Sequence, residues 1–361
     1  MKDKVAIGFI GTGFARRVQM PAFAACAGAR LVSVSSGSVE NARAAAEEFG
    51  IEHFSGDWRE TVANPEVDLV CVTTPPAIHR EMVLFAIDNG KHVLAEKPMA
   101  MSVAEAEEMT AAANAAGVLA LIDHELRYLP GRIKAKAMLH EGSIGKVVHA
   151  KYNFRAPHRG DPTAEWNWWS DVSAGGGTLG AINSHIIDSF NWFLETDISS
   201  VLCQLQTHIK QRPNQGEVRE VTTDDEANML LRFADSALTT DATGLVSASM
   251  IEGPEYLNQI EFVGTEGWLR VHHRGDVYVA KRGETEMTAI DVNYPPNIDG
   301  VFESGFPSGF MAFAPKIVEG ILNGASSIDN AATFEDGVKV QRVLDAARES
   351  NRSGTRIPVF A

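Results

Sequence analysis

At 361 residues, with 45% hydrophobic and 22% charged side chains, the chain exceeds what one hydrophobic core usually fills; two domains are expected, and a disordered or fibrous protein is excluded. The formal net charge of −15 argues against a phosphate-backbone partner and an anionic membrane surface, so neither nucleic acid nor membrane is expected. Cys26, Cys71 and Cys203 lie far apart without a CxxC pair, which speaks against a disulfide framework, a structural zinc site or any other metal centre.

Lys2 and Lys4 precede the apolar run Val5–Ile10, but that run is too short for a signal-peptide core. No stretch approaches the ~18 apolar residues of a membrane helix, and a cytoplasmic location is expected. Val5–Ile10 reads as a buried parallel strand. Residues 29–34 read as a second strand, Val39–Phe49 as a helix ended by Gly50, and 67–72 as a third strand. Residues 78–89 form the next helix, stopped by Gly90, and His92–Ala95 the next strand. Ser102 and Glu105 have capping-box spacing for a helix that runs to Gly117, and 118–122 is one more strand. This alternation predicts a Rossmann-type, doubly wound parallel sheet over residues 1–123.

After residue 123 the texture changes. A helix over 130–141 is followed by alternating segments at 146–154, 200–209, 227–233 and 258–263, and a last helix spans 333–350. Residues 124–361 are therefore expected to form an α+β domain with a large, open, mostly antiparallel sheet. The segment 211–216, rich in proline, asparagine and glycine, reads as a mobile loop.

Gly11-Thr12-Gly13 follows the first strand and opens a helix, the context in which such glycines bind a dinucleotide: Gly11 for the tight turn, Gly13 for close approach of the pyrophosphate. Arg16 stands where a third glycine would fall. The acidic residue that binds a ribose about 20 positions on is replaced by Ser35-Ser36-Gly37-Ser38. Arg16, Arg17 and Arg43 are candidates for a 2′-phosphate, so NAD and NADP both stay open.

Two segments at the C-terminal ends of parallel strands go further: Thr73-Thr74-Pro75-Pro76-Ala77-Ile78-His79 and Gly90-Lys91-His92-Val93-Leu94-Ala95-Glu96-Lys97-Pro98. With Gly11-Thr12-Gly13, with His124-Glu125-Leu126-Arg127-Tyr128, with Gly175-Gly176-Gly177 and His185, and with Phe262 to Gly267, they make the chain resemble the Gfo/Idh/MocA oxidoreductases. The resemblance implies a nicotinamide cofactor on Gly11, Thr12, Gly13, Phe14, Ser35, Ser36, Thr73, Thr74, Pro75, His79, Glu96 and Lys97. It implies Lys97 as a catalytic group aimed at a substrate hydroxyl, and a homo-oligomer, dimer or tetramer, built through the second domain's sheet. In many relatives an aspartate precedes the histidine by four residues; Ala181 stands there, and Asn183 replaces a common glycine. His185 is still expected to be catalytic, with Lys97 as its hydrogen-bonding partner at the substrate oxygen; the alternative is that Lys97 does the chemistry alone while His185 orients substrate.

Substrate contacts are expected from Lys97, His124, Arg127, Arg155, His158, Trp168, Asn183 and His185. Arg155, His158 and Arg159 leave an anionic substrate open. The leading expectation is an NAD(P)-dependent dehydrogenase or reductase acting on a secondary hydroxyl or ketone of a sugar, polyol or derivative. The alternatives are a redox-neutral glycoside-cleaving enzyme, working by transient oxidation and elimination, and a cofactor-binding sensor without catalysis.

Overall fold

The computed structural model describes residues 3–294, 301 and 304–360. They form two compact units, one of residues 3–128 with 301 and 304–338, the other of 129–294 with 339–360. Beyond the cut expected between residues 123 and 124, the chain returns to the first unit. The reason is packing, because helix Gly305–Leu322 inserts Phe310 and Phe313 into the core that holds Phe9 and Phe23.

The first unit is built on a seven-stranded sheet. In chain order its parallel strands are β1 (Val5–Ile10), β2 (Ala29–Ser35), β3 (His53–Ser55), β4 (Leu69–Val72), β5 (His92–Ala95) and β6 (Ala120–Ile122). They are arranged 3-2-1-4-5-6, the doubly wound order, and the short strand Ala332–Thr333 adds antiparallel to β6. Alternate residues serve two cores. Ile7, Phe9, Leu69, Cys71, Leu94 and Leu121 face one; Ala6, Ile10, Val70, Val72, Val93 and Ile122 face the other. A strand buried on both faces must be apolar throughout, which is why these segments read as continuous runs.

Helix ends follow local chemistry. Ser38 caps Val39–Phe49 by accepting from the Asn41 amide, and Gly50 ends it at φ 64°. Ser102 Oγ accepts from the Glu105 amide, but the Glu105 carboxylate returns to the Met101 amide, one residue short of the expected reciprocal bond.

The second unit carries a nine-stranded sheet. Across it run Thr288–Ile290, Val277–Lys281, Gly267–Val271, Leu257–Gly264, Val147–Arg155, Thr239–Ser249, Glu226–Phe233, Ile198–Gln206 and Ile357–Pro358. Among the described residues of this sheet, only Val147–Arg155 and Thr239–Ser249 pair in parallel. The expected mobile loop at 211–216 is instead half of a hairpin, Gln211–Asn214 against Glu217–Glu220. Gln215 and Gly216 both have positive φ, the geometry of a two-residue hairpin turn, which the turn-rich composition concealed. Cys26, Cys71 and Cys203 are unpaired thiols, and no helix among the described residues is long and apolar enough to cross a membrane.

Candidate active site

The expected cofactor residues come together where β1, β2, β4 and β5 end. The Gly11 amide donates to the Ser35 carbonyl, and the Thr73 amide and hydroxyl both reach the Ile10 carbonyl, so three loops are stitched edge to edge. Gly11 has φ 99°, and a β-carbon there would lie 2.7 Å from the Thr73 carbonyl oxygen. Gly13 is different: a β-carbon there would meet no atom within 4 Å. That space, at the start of helical residues 15–24, is where the backbone can receive a pyrophosphate. These residues therefore fit a dinucleotide. Thr12 Oγ1 reaches Ser36 Oγ at 3.5 Å, and Phe14 stands edge-on to Phe310.

The arginines near that turn are engaged. Arg16 pairs with Glu48, Arg43 lies over the Phe54 ring, and Arg17 Nε donates to the Gly13 carbonyl. Glu40 accepts from Ser38 Oγ; its own backbone amide first, and that bond second, hold its carboxyl below the ordinary range.

His79 is buried, with Nε2 2.8 Å from the Thr74 carbonyl and Nδ1 3.3 Å from the Met99 carbonyl. Burial lowers its pKa, and the neutral ring, with its single N–H, donates to one of these two carbonyls, between the Thr74-Pro75 loop and the segment after Lys97-Pro98, whose peptide bond is cis. Lys97 follows β5, its side chain 20% exposed, with Nζ 3.9 Å from Glu96 Oε2. Beneath it is a polar cluster that the sequence reading missed. Gln19 Nε2 donates to Asp123 Oδ2 at 2.7 Å and reaches Glu96 Oε1 at 3.4 Å. The one signal for it was an aspartate directly after an apolar strand.

His124 is buried beside this cluster in sequence. Arg127, expected to touch substrate, is also buried and donates to the Asp336 carboxylate and the Ala331 carbonyl. It ties the stretch after β6 to the returning segment instead.

In the second unit the glycine triplet packs closely. A β-carbon on Gly176 would lie 2.4 Å from the Trp169 carbonyl oxygen, and one on Gly177, at φ 103°, 2.5 Å from Asp224 Oδ1. These contacts set the turn that leads through Leu179–Asn183 into helix Ser184–Leu194, which carries His185 in its first turn. His185 and Asp188 are buried, as are Ala181 and Asn183, whose amide oxygen and nitrogen have no hydrogen-bond partner among the described residues. Trp168 is half-buried against Trp169. Arg155 pairs with Glu252 at 3.5 Å, Arg159 donates to Ser170 and Asn167, and the exposed His158 stands edge-on to Tyr256.

Asp224 anchors the turn by accepting from the Leu179 amide at 2.7 Å. Burial pushes its carboxyl up to about 6 from the usual 3.8. A carboxyl raised on folding adds stability below its unfolded pKa and loses that contribution as pH rises through the folded value. Asp224→Asn should therefore remove a decline of about 3 kcal/mol between pH ~4 and ~6, visible as a flatter melting-temperature profile. An unchanged profile would refute the assignment. Among the described residues no group of three or more His, Cys, Asp or Glu side chains is placed to hold a metal ion.

Two family models match the chain: an oxidoreductase family with an NAD-binding Rossmann fold over residues 5–124, and the GFO/IDH/MocA C-terminal domain over 133–270. An uncharacterized oxidoreductase of Synechocystis is 31% identical over 64% of this chain and 62% of its own length. Levoglucosan dehydrogenase of Pseudarthrobacter phenanthrenivorans is 31% identical over 95% of both chains. A solved levoglucosan dehydrogenase in complex with NADH and L-sorbose superposes with a TM-score of 0.88, at 27% identity and 99% coverage of each chain.

Proposed function

Since this chain belongs to the Gfo/Idh/MocA oxidoreductase family, we propose that it transfers a hydride between NAD and a secondary hydroxyl or ketone of a neutral sugar or polyol. The observation that carries this reading is Lys97, a partly exposed ammonium at the C-terminal end of β5, beside the glycine turn that suits a dinucleotide. When bound, NAD supplies the hydride acceptor. Gly11, Thr12 and Gly13 hold its pyrophosphate, while Ser35, Ser36, Thr73, Thr74, Pro75 and Glu96 frame the rest. Lys97 Nζ donates a hydrogen bond to the reacting oxygen, which favours the developing carbonyl. His185 is the proposed acceptor of the hydroxyl proton.

Of the expected substrate contacts, the proposal keeps Lys97, His124, Trp168, Asn183 and His185. Arg127 and Arg155 are already matched by Asp336 and Glu252, which favours a neutral substrate over an anionic one. Levoglucosan and L-sorbose, present in complexes of the similar dehydrogenase, head the substrate panel. The test is NADH absorbance with those two and a set of polyols and sugar acids. Chromophore release from an aryl glycoside without net NADH would transfer the assignment to redox-neutral cleavage. Tight NADH binding with no turnover of any sugar would make the protein a sensor.

NAD is preferred over NADP in this reading because Arg16 and Arg43 are occupied by Glu48 and Phe54, and Glu40 adds a negative charge at the same turn. A kcat/KM ratio of at least about tenfold in favour of NAD, or ~1.4 kcal/mol, is expected from initial rates; equal values would refute the preference. We further propose a cytoplasmic enzyme that pairs through the second unit's sheet. Leu202, Leu230 and Leu245 stand in register across three strands, and the last two are exposed. Leu230→Glu with Leu245→Glu should convert an oligomer to a monomer by light scattering, and a monomeric parent would end that proposal.

A further inference from the structure

The ends of β5 and β6 bury more acid than a lone lysine needs. Glu96 and Asp123 are 8% and 0% exposed, and Glu125 follows at 1%. Glu96 Oε1 and Asp123 Oδ2 both lie within reach of the one Gln19 amide nitrogen, and Asp123 Oδ1 is buried with no hydrogen-bond partner among the described residues. Two buried carboxylates gathered on one amide repel each other, which disfavours ionising both at once. Gln19 stands over both, donating to Asp123 Oδ2 at 2.7 Å and lying 3.4 Å from Glu96 Oε1. The Lys97 amide donates to Glu96 Oε2 at 3.3 Å, and Lys97 Nζ is 3.9 Å from the same oxygen.

We propose that Glu96 and Asp123 share a single proton, and that this pair, braced by Gln19, is the positioning device for the Lys97 ammonium. With the proton in place the pair presents one negative charge to Nζ rather than two. The ammonium is then held from below without being drawn fully into the carboxylates. Losing the proton adds a second negative charge and pulls Nζ toward Glu96, away from a substrate oxygen. The proposal rests on the reading of Lys97 as the group that meets substrate.

The surroundings support it. Burial, reinforced by Glu125 and Glu96, pushes the Asp123 carboxyl well above the ordinary range; burial raises Glu96 too, with Lys97 pulling it back. From β4, Cys71 faces both acids and its thiol is pushed far up, mainly by burial. His79 lies on the other side, lowered by burial and slightly by Lys97, and so adds no positive charge of its own. His124 adjoins Asp123 in the chain and is buried as well. Because the two acids interact strongly, their titration belongs to the pair rather than to either residue.

The test uses the whole protein and no substrate. Infrared difference spectra near pH ~7, where an ordinary carboxyl is ionised, should show the C=O stretch of a protonated acid in the parent protein and lose it in Asp123→Asn. Lysine ε-carbon NMR, with Lys97 assigned from Lys97→Arg, should show an inflection at the midpoint of the infrared titration. That inflection should vanish in Asp123→Asn and move to higher pH in Gln19→Leu, which removes the amide donor that favours the ionised Asp123 carboxyl. No protonated band at neutral pH overturns the shared proton. A Lys97 signal that titrates alike in parent and Asp123→Asn overturns the link to Lys97. Should Asp123→Asn fail to fold, the parent titration and Glu96→Gln give the same two answers. Neither readout involves turnover, so an inactive protein defeats the proposed function and leaves the pair standing, while a missing band does the reverse.

Discussion

Lys97→Met is expected to lower kcat by about 10²- to 10⁴-fold, the usual contribution of a positioned proton donor or acceptor, while NADH affinity stays within about threefold. Methionine keeps most of the length of the side chain and removes only the charged donor. The backbone around it is held independently: the Lys97 amide by Glu96, the Glu96 amide by the Val72 carbonyl, and the following segment by His79. The loss should therefore fall on the reaction rather than on the cofactor. Single-turnover absorbance gives the first quantity and fluorescence titration with NADH the second. Turnover within tenfold of the parent would remove Lys97 from the reaction, and a large loss of NADH affinity would make it a cofactor ligand instead.

The second large effect separates two glycines that look equivalent in sequence. Gly11→Ala places a methyl 2.7 Å from the Thr73 carbonyl oxygen, on a backbone at φ 99° that L-residues rarely adopt. Thr73 cannot retreat, because its amide and hydroxyl are both bonded to the Ile10 carbonyl. A destabilisation of about 2–4 kcal/mol is expected, from overpacking and backbone strain together. Gly13→Ala meets nothing within 4 Å and should change stability by less than ~0.5 kcal/mol. Its methyl would instead fill the space proposed for the pyrophosphate, so NADH affinity should fall at least about tenfold, or ~1.4 kcal/mol. Denaturant titration and NADH binding on both variants test the pair. A Gly13→Ala protein that binds NADH as the parent does would show that the cradle lies elsewhere.

Much of the first unit was legible because its physics is local. β1, β4 and β5 are buried on both faces, so their residues are apolar in unbroken runs, and Ser38, Gly50, Ser102 and Gly117 mark helix ends by satisfying free amides or adopting left-handed geometry. β3 and helix Trp58–Ala63 escaped notice because three residues of His-Phe-Ser and six of mixed polarity carry no period. The hairpin at 211–220 was hidden by a composition that serves a loop and a tight turn equally well.

The site divides along the same line. The Gly11-Thr12-Gly13 turn, Lys97 and the glycine triplet could be named from the sequence, since each depends on residue type at fixed spacing next to a strand or helix end. What the sequence by itself determined was therefore the Rossmann character of the first half, the change of texture after it and the family resemblance.

Only the tertiary structure decided the remainder. Residues 304–338 join the first unit because Phe310 and Phe313 complete a core begun about 300 residues earlier in the chain. Arg127 is a tether because Asp336 comes to it, and Gln19, Glu96 and Asp123 form one buried polar cluster although 104 residues separate the first from the last. Periodicity and capping act over one or two turns of chain and can be read along it. Burial and charge pairing act across space, and no local pattern records which distant residue will supply the partner.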